Sequence, residues 1–524
     1  MRPKLTTSVA LFLMFLLVAQ TTLLAVTNDV NTTMLTSETN GEDSFSVSAR
    51  NGTSWSSPVT LDSHQYVGLD SSLAIDSNDN LHVTYLDQTN WNLEYMAYDG
   101  FSWSAPVSLD STGYVGKHSS LAIDSNDNLH VTYLDETTND LEYMTYDGSS
   151  WSTPVSLDSA GGVGEYSSLA IDSNDNLHVT YYDGSYQNLE YMTYDGSSWS
   201  TPVSLDSTDY VGKDSSLAID SNDNLHVTYF EEYPNQNLTY MTYDGSSWST
   251  PVSLDHTGVG RESSLAIDSN DNLHVTYLYG SGTNFTNDNL EYMTYDGSSW
   301  STPVSLDSTD DVGWQSSLAI DSNDNLHVTY YDYTNGNLEY MTHNGSSWTT
   351  PVTLDSTDDV GYSSSLAIDS NDNLHVTYLD KTNYNLEYMI FGNDSDGDGV
   401  VDLYDSCPNG NSNWVSTATT DYDGDGCQDS NEDSDDDNDG ILDVNDAFPL
   451  DSSESVDTDN DGTGDNADTD DDGDNVLDVD DAFPLDSSES VDTDNDGTGN
   501  NADTDDDDDS VLDADDAFPL DPTE

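Results

Sequence analysis

The chain is 524 residues long, enough for two or three domains, and carries 102 Asp or Glu against 7 Lys or Arg, a formal charge of -95. Binding a nucleic-acid backbone needs clustered Lys and Arg to displace counterions, so that class of partner is excluded, and anionic membrane surfaces are disfavoured for the same reason. Cations remain as the charged partners, and acidity of this extent also suits a salty medium, where a Debye length of roughly 3–4 Å screens like charges.

At the N-terminus, Arg2 and Lys4 precede an uncharged apolar run from Val9 to Ala19, the layout of an export signal. Residues 1–26 are expected to be a signal peptide, with Ala25-Val26-Thr27 as a loose cleavage site, and residues 27–44 a linker. If the segment is kept, Val9 to Val26 is long enough to anchor the chain in a bilayer. Gln20, Thr21 and Thr22 interrupt the run and favour cleavage. No second hydrophobic stretch follows, so no other membrane span is expected. An exported chain with two cysteines, Cys407 and Cys427, is expected to hold one disulfide.

Residues 45–391 are repetitive. The phrase SSLAIDSNDNLHVTY occurs seven times, with its first Asp at Asp76, Asp124, Asp172, Asp220, Asp268, Asp321 and Asp369. The spacing is 48 residues except for one step of 53, caused by an insertion around Gly280 to Asn287. In the first unit, Ser71–Asp76, Leu81–Tyr85, Leu93–Tyr98 and Trp103–Leu109 alternate with period two and are separated by SNDN and YDG turns. Four strands per unit of this length predict blades, and seven units predict an all-β, seven-bladed β-propeller. The fourth-strand Trp recurs at Trp55, Trp103, Trp151, Trp199, Trp248, Trp300 and Trp348, and no such Trp strand follows Leu386–Met389. Ser54–Leu61 is therefore expected to be the outer strand of the last blade, closing the ring.

The turns after the first and third strands share one face and hardly vary, whereas the loops after the second and fourth strands vary strongly, so a binding site is expected on the second face. Tyr66, Tyr114, Tyr166, Tyr210, Trp314 and Tyr362 lie before the first strands there, and Trp91, Tyr186, Tyr233, Phe285, Tyr333 and Tyr384 after the second strands. Exposed flat rings with a polar rim suit sugar faces, although such rings can also simply cover the blade ends. Lys117, Lys213 and Arg261 share one repeat position and are expected around the mouth of the central channel, near His118, Glu165, Asp214 and Glu262, where they could hold an anionic sugar group or only offset neighbouring acids. The repeated His82, His130, His178, His226, His274, His327 and His375 are expected to bond between blades rather than bind metal. DSNDN is expected to form Asx turns, with a calcium site the alternative.

YDGSSW, as in Tyr146–Trp151, resembles the Asp-box S-x-D-x-G-x-T-W with a shorter Asp-to-Gly spacing, and residues 45–391 resemble the sialidase-like repeat propellers. That resemblance implies a fold, not an activity. Sialidases of that kind hold a carboxylate with three arginines, and this chain has only Arg2, Arg50 and Arg261, so sialidase chemistry is not expected. Other glycosidases need two carboxylates, for which Glu165 and Glu262 are candidates.

Residues 394–524 contain 47 acids and no Lys or Arg. Asp394, Asp396, Asp398, Asp402 and Asp405 stand at positions 1, 3, 5, 9 and 12 of a loop with Gly399 at position 6. This register wraps alternating oxygens around calcium (Ca2+), the glycine permitting the turn and the last acid closing the loop. It recurs at Asp421, Asp423, Asp425, Asp429 and Glu432; at Asp435, Asp437, Asp439, Asp443 and Asp446; and at Asp457, Asp459, Asp461, Asp465 and Asp468. Three more loops follow: Asp470, Asp472, Asp474, Asp478 and Asp481, with Asn475 for the glycine; Asp492, Asp494, Asp496, Asn500 and Asp503; and Asp505, Asp507, Asp509, Asp513 and Asp516, with Ser510 for the glycine. Asp394–Pro408 resembles a thrombospondin type 3 repeat, which implies a string of calcium ions over residues 392–524 and supports pairing of Cys407 with Cys427. In later units Phe448, Phe483 and Phe518 stand where that family has cysteine.

The expectation is a secreted or cell-surface protein, a glycan-binding lectin or adhesin on a calcium-stiffened stalk. The alternatives are an extracellular glycan hydrolase or lyase and a structural surface component.

Overall fold

The computed structural model describes residues 53–523, apart from 65, 101, 209, 234–235, 256–258, 281–287, 403–404, 413 and 418. The expected signal segment and linker, Arg50 and Phe285 lie outside the described residues. Seven antiparallel sheets form the propeller, six of four strands and a seventh whose outer strand is split into two segments. In blade 1 the strands are Leu69–Ile75, Leu81–Asp87, Asn92–Tyr98 and Val107–Asp110, in that order from the axis outward. First strands of successive blades pack side by side around the axis, and the seventh packs on the first. The fourth strand is shorter than its sequence suggests. Trp103 makes a single bridge to Tyr98, and the strand resumes only at Val107, because Pro106 between them has no N–H for the ladder.

Ring closure is as expected. Asn385–Asn393, the third strand of blade 7, pairs with Thr53–Trp55 (Thr53 opposite Asn393) and with Val59–Asp62. The N-terminal strand thus covers what would be an open edge.

The core lies between blades rather than within them. One cluster joins Leu189 and Tyr191 of blade 3 to Val211, Leu225, Val227 and Tyr229 of blade 4. Three repeated contacts stitch each such seam. The tyrosine ending the repeated phrase is fully buried and donates to the Asp ending the preceding blade's fourth strand, as in Tyr85 to Asp62 at 2.7 Å and Tyr133 to Asp110 at 2.8 Å. Each fourth-strand Trp packs edge-on against a third-strand Tyr of the preceding blade, including Trp55 on Tyr340 and Trp103 on Tyr388 across the closure. On the invariant face, each DSNDN turn is an Asx turn, Asp76 Oδ1 accepting from the backbone N–H of Asn78 and Asn80. Its last Asp, in left-handed conformation, accepts from a serine of the preceding blade: Ser77 bonds Asp127, and Ser370 bonds Asp79 to complete the circle. These carboxylates bind protein N–H and O–H groups, which accounts for the invariance of the motif.

The histidines differ from expectation. His82 Nδ1 meets Tyr95 Oη at 2.7 Å, and its Nε2 lies 3.5 Å from Asp76, both within the same blade. Strand two runs antiparallel to strand three, so the ring reaches its own neighbour first. The contact to the next blade is made by Tyr95, against Trp151.

One glycine position is dictated by packing. Gly212 has φ +101, and a Cβ there would lie 2.7 Å from Leu189 Cα of the preceding blade. Gly212→Ala is expected to cost about 2 kcal/mol or more through left-handed strain and overlap. Gly148→Ala, at φ +83 with nothing within 4 Å, bears the strain alone and should cost less. Denaturant midpoints of the two variants check the order.

Candidate functional site

Two regions bring chemistry together: the variable face of the propeller and the aspartate loops.

On the variable face, the residue two places before SSLAID meets one after the second strand of the same blade. In blades 2 and 4 the two are ion-paired, Lys117 to Glu136 at 2.8 Å and Lys213 to Glu232 at 2.6 Å. Arg261 of blade 5 lies 5.1 Å from the centre of the Phe230 ring. The two lysines expected to hold an anion at the channel mouth are thus engaged by glutamates, and their charge is offset there. Such half-exposed pairs contribute at most about 1 kcal/mol each.

The channel is lined by the next residue along: Asp70, His118, Tyr166, Asp214, Glu262, Gln315 and Ser363, one per blade. All seven are left-handed, with φ between 49° and 55°. The ladder slips here, between Lys117 and Ser120 in blade 2, and this bulge turns each side chain toward the axis. Side chains reach around the axis to the next backbone: Asp70 accepts from His118 N–H at 2.8 Å, Asp214 from Glu262 at 3.3 Å, Glu262 from Gln315 at 2.7 Å, and Gln315 from Ser363 at 2.6 Å. His118 stacks on Tyr166 with ring centres 4.3 Å apart. Glu165 is in register with Tyr182, and the acid beside Glu262 is Asp214. Burial and the Asp214 charge push Glu262 up to about 8.

A carboxyl whose pKa is higher folded than unfolded stabilises the fold below its unfolded value, near 4.5, and that contribution is lost as pH rises toward 8. Glu262→Gln is therefore expected to flatten the fall in melting temperature between pH 5 and pH 8. A parallel fall in both proteins would contradict this placement.

The aromatic residues of this face form pairs: Trp91 with Tyr114, centres 5.1 Å apart; Tyr66 with Tyr384 at 4.2 Å; Tyr210 with Tyr233 at 6.2 Å; and Trp314 with Tyr333 at 5.7 Å. The last pair extends into a larger cluster at blades 6 and 7, where Tyr331 meets Tyr333 and Tyr362 edge-on. Lys381, which the sequence did not single out, lies 4.8 Å from the Tyr331 ring centre and 4.9 Å from that of Tyr362. Its ammonium also contacts Asp359 at 3.3 Å and Tyr331 Oη at 3.1 Å. Beside this cluster opens a shallow cleft of about 480 Å³.

In residues 394–523 the expected loops share one geometry. Position 6 is left-handed in all seven, φ 76–97°, including Asn475 and Ser510, and so is position 4, held by Gly, Asn or Asp. Position 9 accepts from the backbone N–H of position 2: Asp402 from Ser395, Asp429 from Tyr422, and Asn500 from Thr493. Asparagine can stand at 500 because one oxygen suffices for that bond. In the third loop, positions 3, 5 and 12 each spend one oxygen on a backbone N–H, and positions 3 and 12 turn the other inward. Cys407 and Cys427 form a disulfide, Cα atoms 5.2 Å apart.

The donor set fits a hard cation. Ligand oxygens of Asp394, Asp396 and Asp398, of Asp421, Asp423 and Asp425, and of Asp435, Asp437 and Asp439 lie within 4.8 Å of one another. Asp396 Oδ1, Asp398 Oδ2, Asp405 Oδ2, Asp437 Oδ2, Asp472 Oδ2 and Asp507 Oδ2 are buried with no hydrogen-bond donor. Burial and neighbouring carboxylates push Asp398 up to about 7 and Asp405 to about 6. Asp433, Asp436, Asp471 and Asp506 also turn unpartnered oxygens inward. They stand outside the loop register, which is why the sequence pattern missed them.

The first loop also touches the propeller. Ser54 of the closing strand donates to Asp394 at 2.8 Å, and Val401, 1% exposed, joins the core cluster of Leu81, Val83 and Ile390.

No protein-family model and no curated protein matches the chain. Among solved structures it is similar to a polysaccharide lyase of a new family, an ulvan lyase bound to -[GlcA(1-4)Rha3S]-, at 13% identity and TM-score 0.47 over 65% of this chain and 94% of that one. It is also similar to a protein of unknown function from Dyadobacter fermentans, at 12% identity and TM-score 0.42 over 65% and 99% of the two chains. A fucose-specific lectin from Aleuria aurantia matches at 15% identity and TM-score 0.39 over 57% and 98%. These are likenesses of fold.

Proposed function

We propose that this is an exported protein whose propeller binds carbohydrate on its variable face, and whose residues 394–523 form a stalk stiffened by calcium, in the manner of thrombospondin type 3 repeats. One observation carries the carbohydrate reading. On a scaffold that repeats sevenfold, paired exposed rings and seven non-repeating channel residues gather on a single face. Tyr114 is 53% exposed and Tyr333 55%, so these rings offer apolar surface to a sugar face while the polar rim offers hydrogen bonds. The calcium reading rests on buried carboxylate oxygens that lack any donor, an arrangement a divalent cation relieves.

A glycan array probed with the full chain in calcium and high salt tests the first reading, followed by assays for reducing ends and for unsaturated products. Binding without product supports a lectin or adhesin. Product formation supports a hydrolase or lyase, a reading that Glu262 favours because it keeps its proton near neutral pH and could act as a general acid. A blank array removes the carbohydrate reading and leaves a structural surface component.

A further inference from the structure

We propose that the cleft between blades 6 and 7 is a subsite for one neutral sugar ring, stacked on Tyr333 and hydrogen-bonded to Asp358. This deepens the carbohydrate reading and rests on it.

The cleft is built from Tyr331, Tyr333 and Asn335 on blade 6 and from Asp358 and Asp359 on the connection to blade 7. Tyr333 is 55% exposed, yet Trp314 at 5.7 Å and Tyr331 at 6.1 Å brace its ring. A braced platform loses little side-chain freedom when a ligand stacks on it. Asp358 is exposed at φ 79°, a left-handed conformation that costs energy for a residue other than glycine.

The polar groups of the cleft select the ligand. Asn335 donates one of its two amide N–H groups to Asp332 at 2.8 Å, and the hydroxyl oxygens of Thr334 and Thr382 accept from the backbone N–H of Asp311 and Asp359. The Asp359 carboxylate is engaged by Tyr331 and Lys381, and the Asp358 carboxylate is left exposed at the opening. The exposed Asp358 carboxylate accepts from sugar hydroxyls, which donate, and repels the charged group of a uronate or sulfate. Charge points the same way. Lys381 offsets Asp359 at 3.3 Å, Asp358 adds a negative charge, and the chain carries -95 overall. The ammonium position among the rings is already filled by Lys381, which disfavours a cationic ligand. Blades 2 and 4 carry Lys–Glu pairs at two repeat positions where blade 6 alone carries aromatic residues at both, Trp314 and Tyr333, so one such subsite is expected per propeller.

The test is saturation-transfer NMR and calorimetry on the full chain in calcium, with the methyl glycosides of glucose, galactose, mannose, fucose and glucuronic acid, beside the glycan array. At least one neutral glycoside is expected to bind with a stoichiometry of one, and the glucuronide not to bind. Tyr333→Ala is expected to weaken binding tenfold or more. Asp358→Gly is expected to weaken it at least fivefold while raising the melting temperature, since glycine relieves the left-handed strain. Val155→Thr, on an exposed outer strand, should change neither. Neutral-sugar binding untouched by both variants would overturn this subsite and leave the carbohydrate reading intact. Binding of the glucuronide alone would overturn the neutral-ligand assignment. No binding of any glycoside or array glycan would overturn both readings.

Discussion

Chelation of calcium is expected to unfold residues 394–523 and leave the propeller folded. Carboxylates about 4 Å apart repel by ~1 kcal/mol per pair in water and by more where partly buried. The loops crowd three to five such groups each, and several have an oxygen buried without a donor. Little apolar burial opposes this. Val444 is 87% exposed, Val479 88%, and Phe518 lies 56% exposed where a cystine would otherwise brace the unit. The Cys407–Cys427 disulfide is worth about 3 kcal/mol and constrains only the first two loops. On the calcium reading, metal binding and folding would be one event. In calcium the chain should resist protease throughout. In EGTA the cuts should fall beyond Asn393, and scattering should show an expanded tail on an intact head. Equal digestion with and without chelator would contradict the calcium reading.

Removing the closing strand is expected to have the second largest effect. Trp55→Ala deletes ring contacts to Tyr340 at 5.3 Å and to Phe391 at 5.5 Å; a fully buried Trp→Ala change costs about 3–5 kcal/mol, and this half-buried ring is expected at or below the lower end of that range. A chain lacking residues 53–62 loses more. Tyr85 loses its Asp62 acceptor in the core, and Asn385–Asn393 becomes an unpaired edge. Loss of a single cooperative melt, with self-association, is the expected result. A truncated chain that melts as the intact one does would mean that the ring does not depend on this strand. Calorimetry and sedimentation measure both.

The seven blades and their closure were legible because they follow from repeat length, period-two alternation and the position of Trp55, all local or periodic signals. The channel residues were legible only in part. His118, Asp214 and Glu262 could be placed near the axis, but which residue turns inward depends on a slip in the ladder between Lys117 and Ser120, and nothing in residue type announces it. The histidine partners were misjudged because the distance to the neighbouring strand is shorter than that to the next blade. Lys381 was missed because Tyr331 lies 50 residues away on another blade. In the aspartate loops the register fixed the positions, but position 9 looked like a plain ligand and is also the acceptor that closes each loop on itself. Left-handed Gly, Asn or Asp at position 4 was a readable signal that the register alone does not require.

The chain reaches and leaves the propeller at neighbouring points. Thr53 faces Asn393 across an antiparallel pair, and the next residues, Ser54 and Asp394, are hydrogen-bonded. Tension between the two ends of the protein would therefore not stretch the blades. It would unzip one pair of strands from its outer end, one hydrogen bond at a time, and zippers of this kind yield at far lower force than strands sheared together. The first link to bear load is a side chain of the first aspartate loop, so on the calcium reading its mechanical strength would follow the filling of that loop. The propeller hangs beside the load path like a bead on a thread, and the place where it would first come loose under pull is the strand that closes its ring.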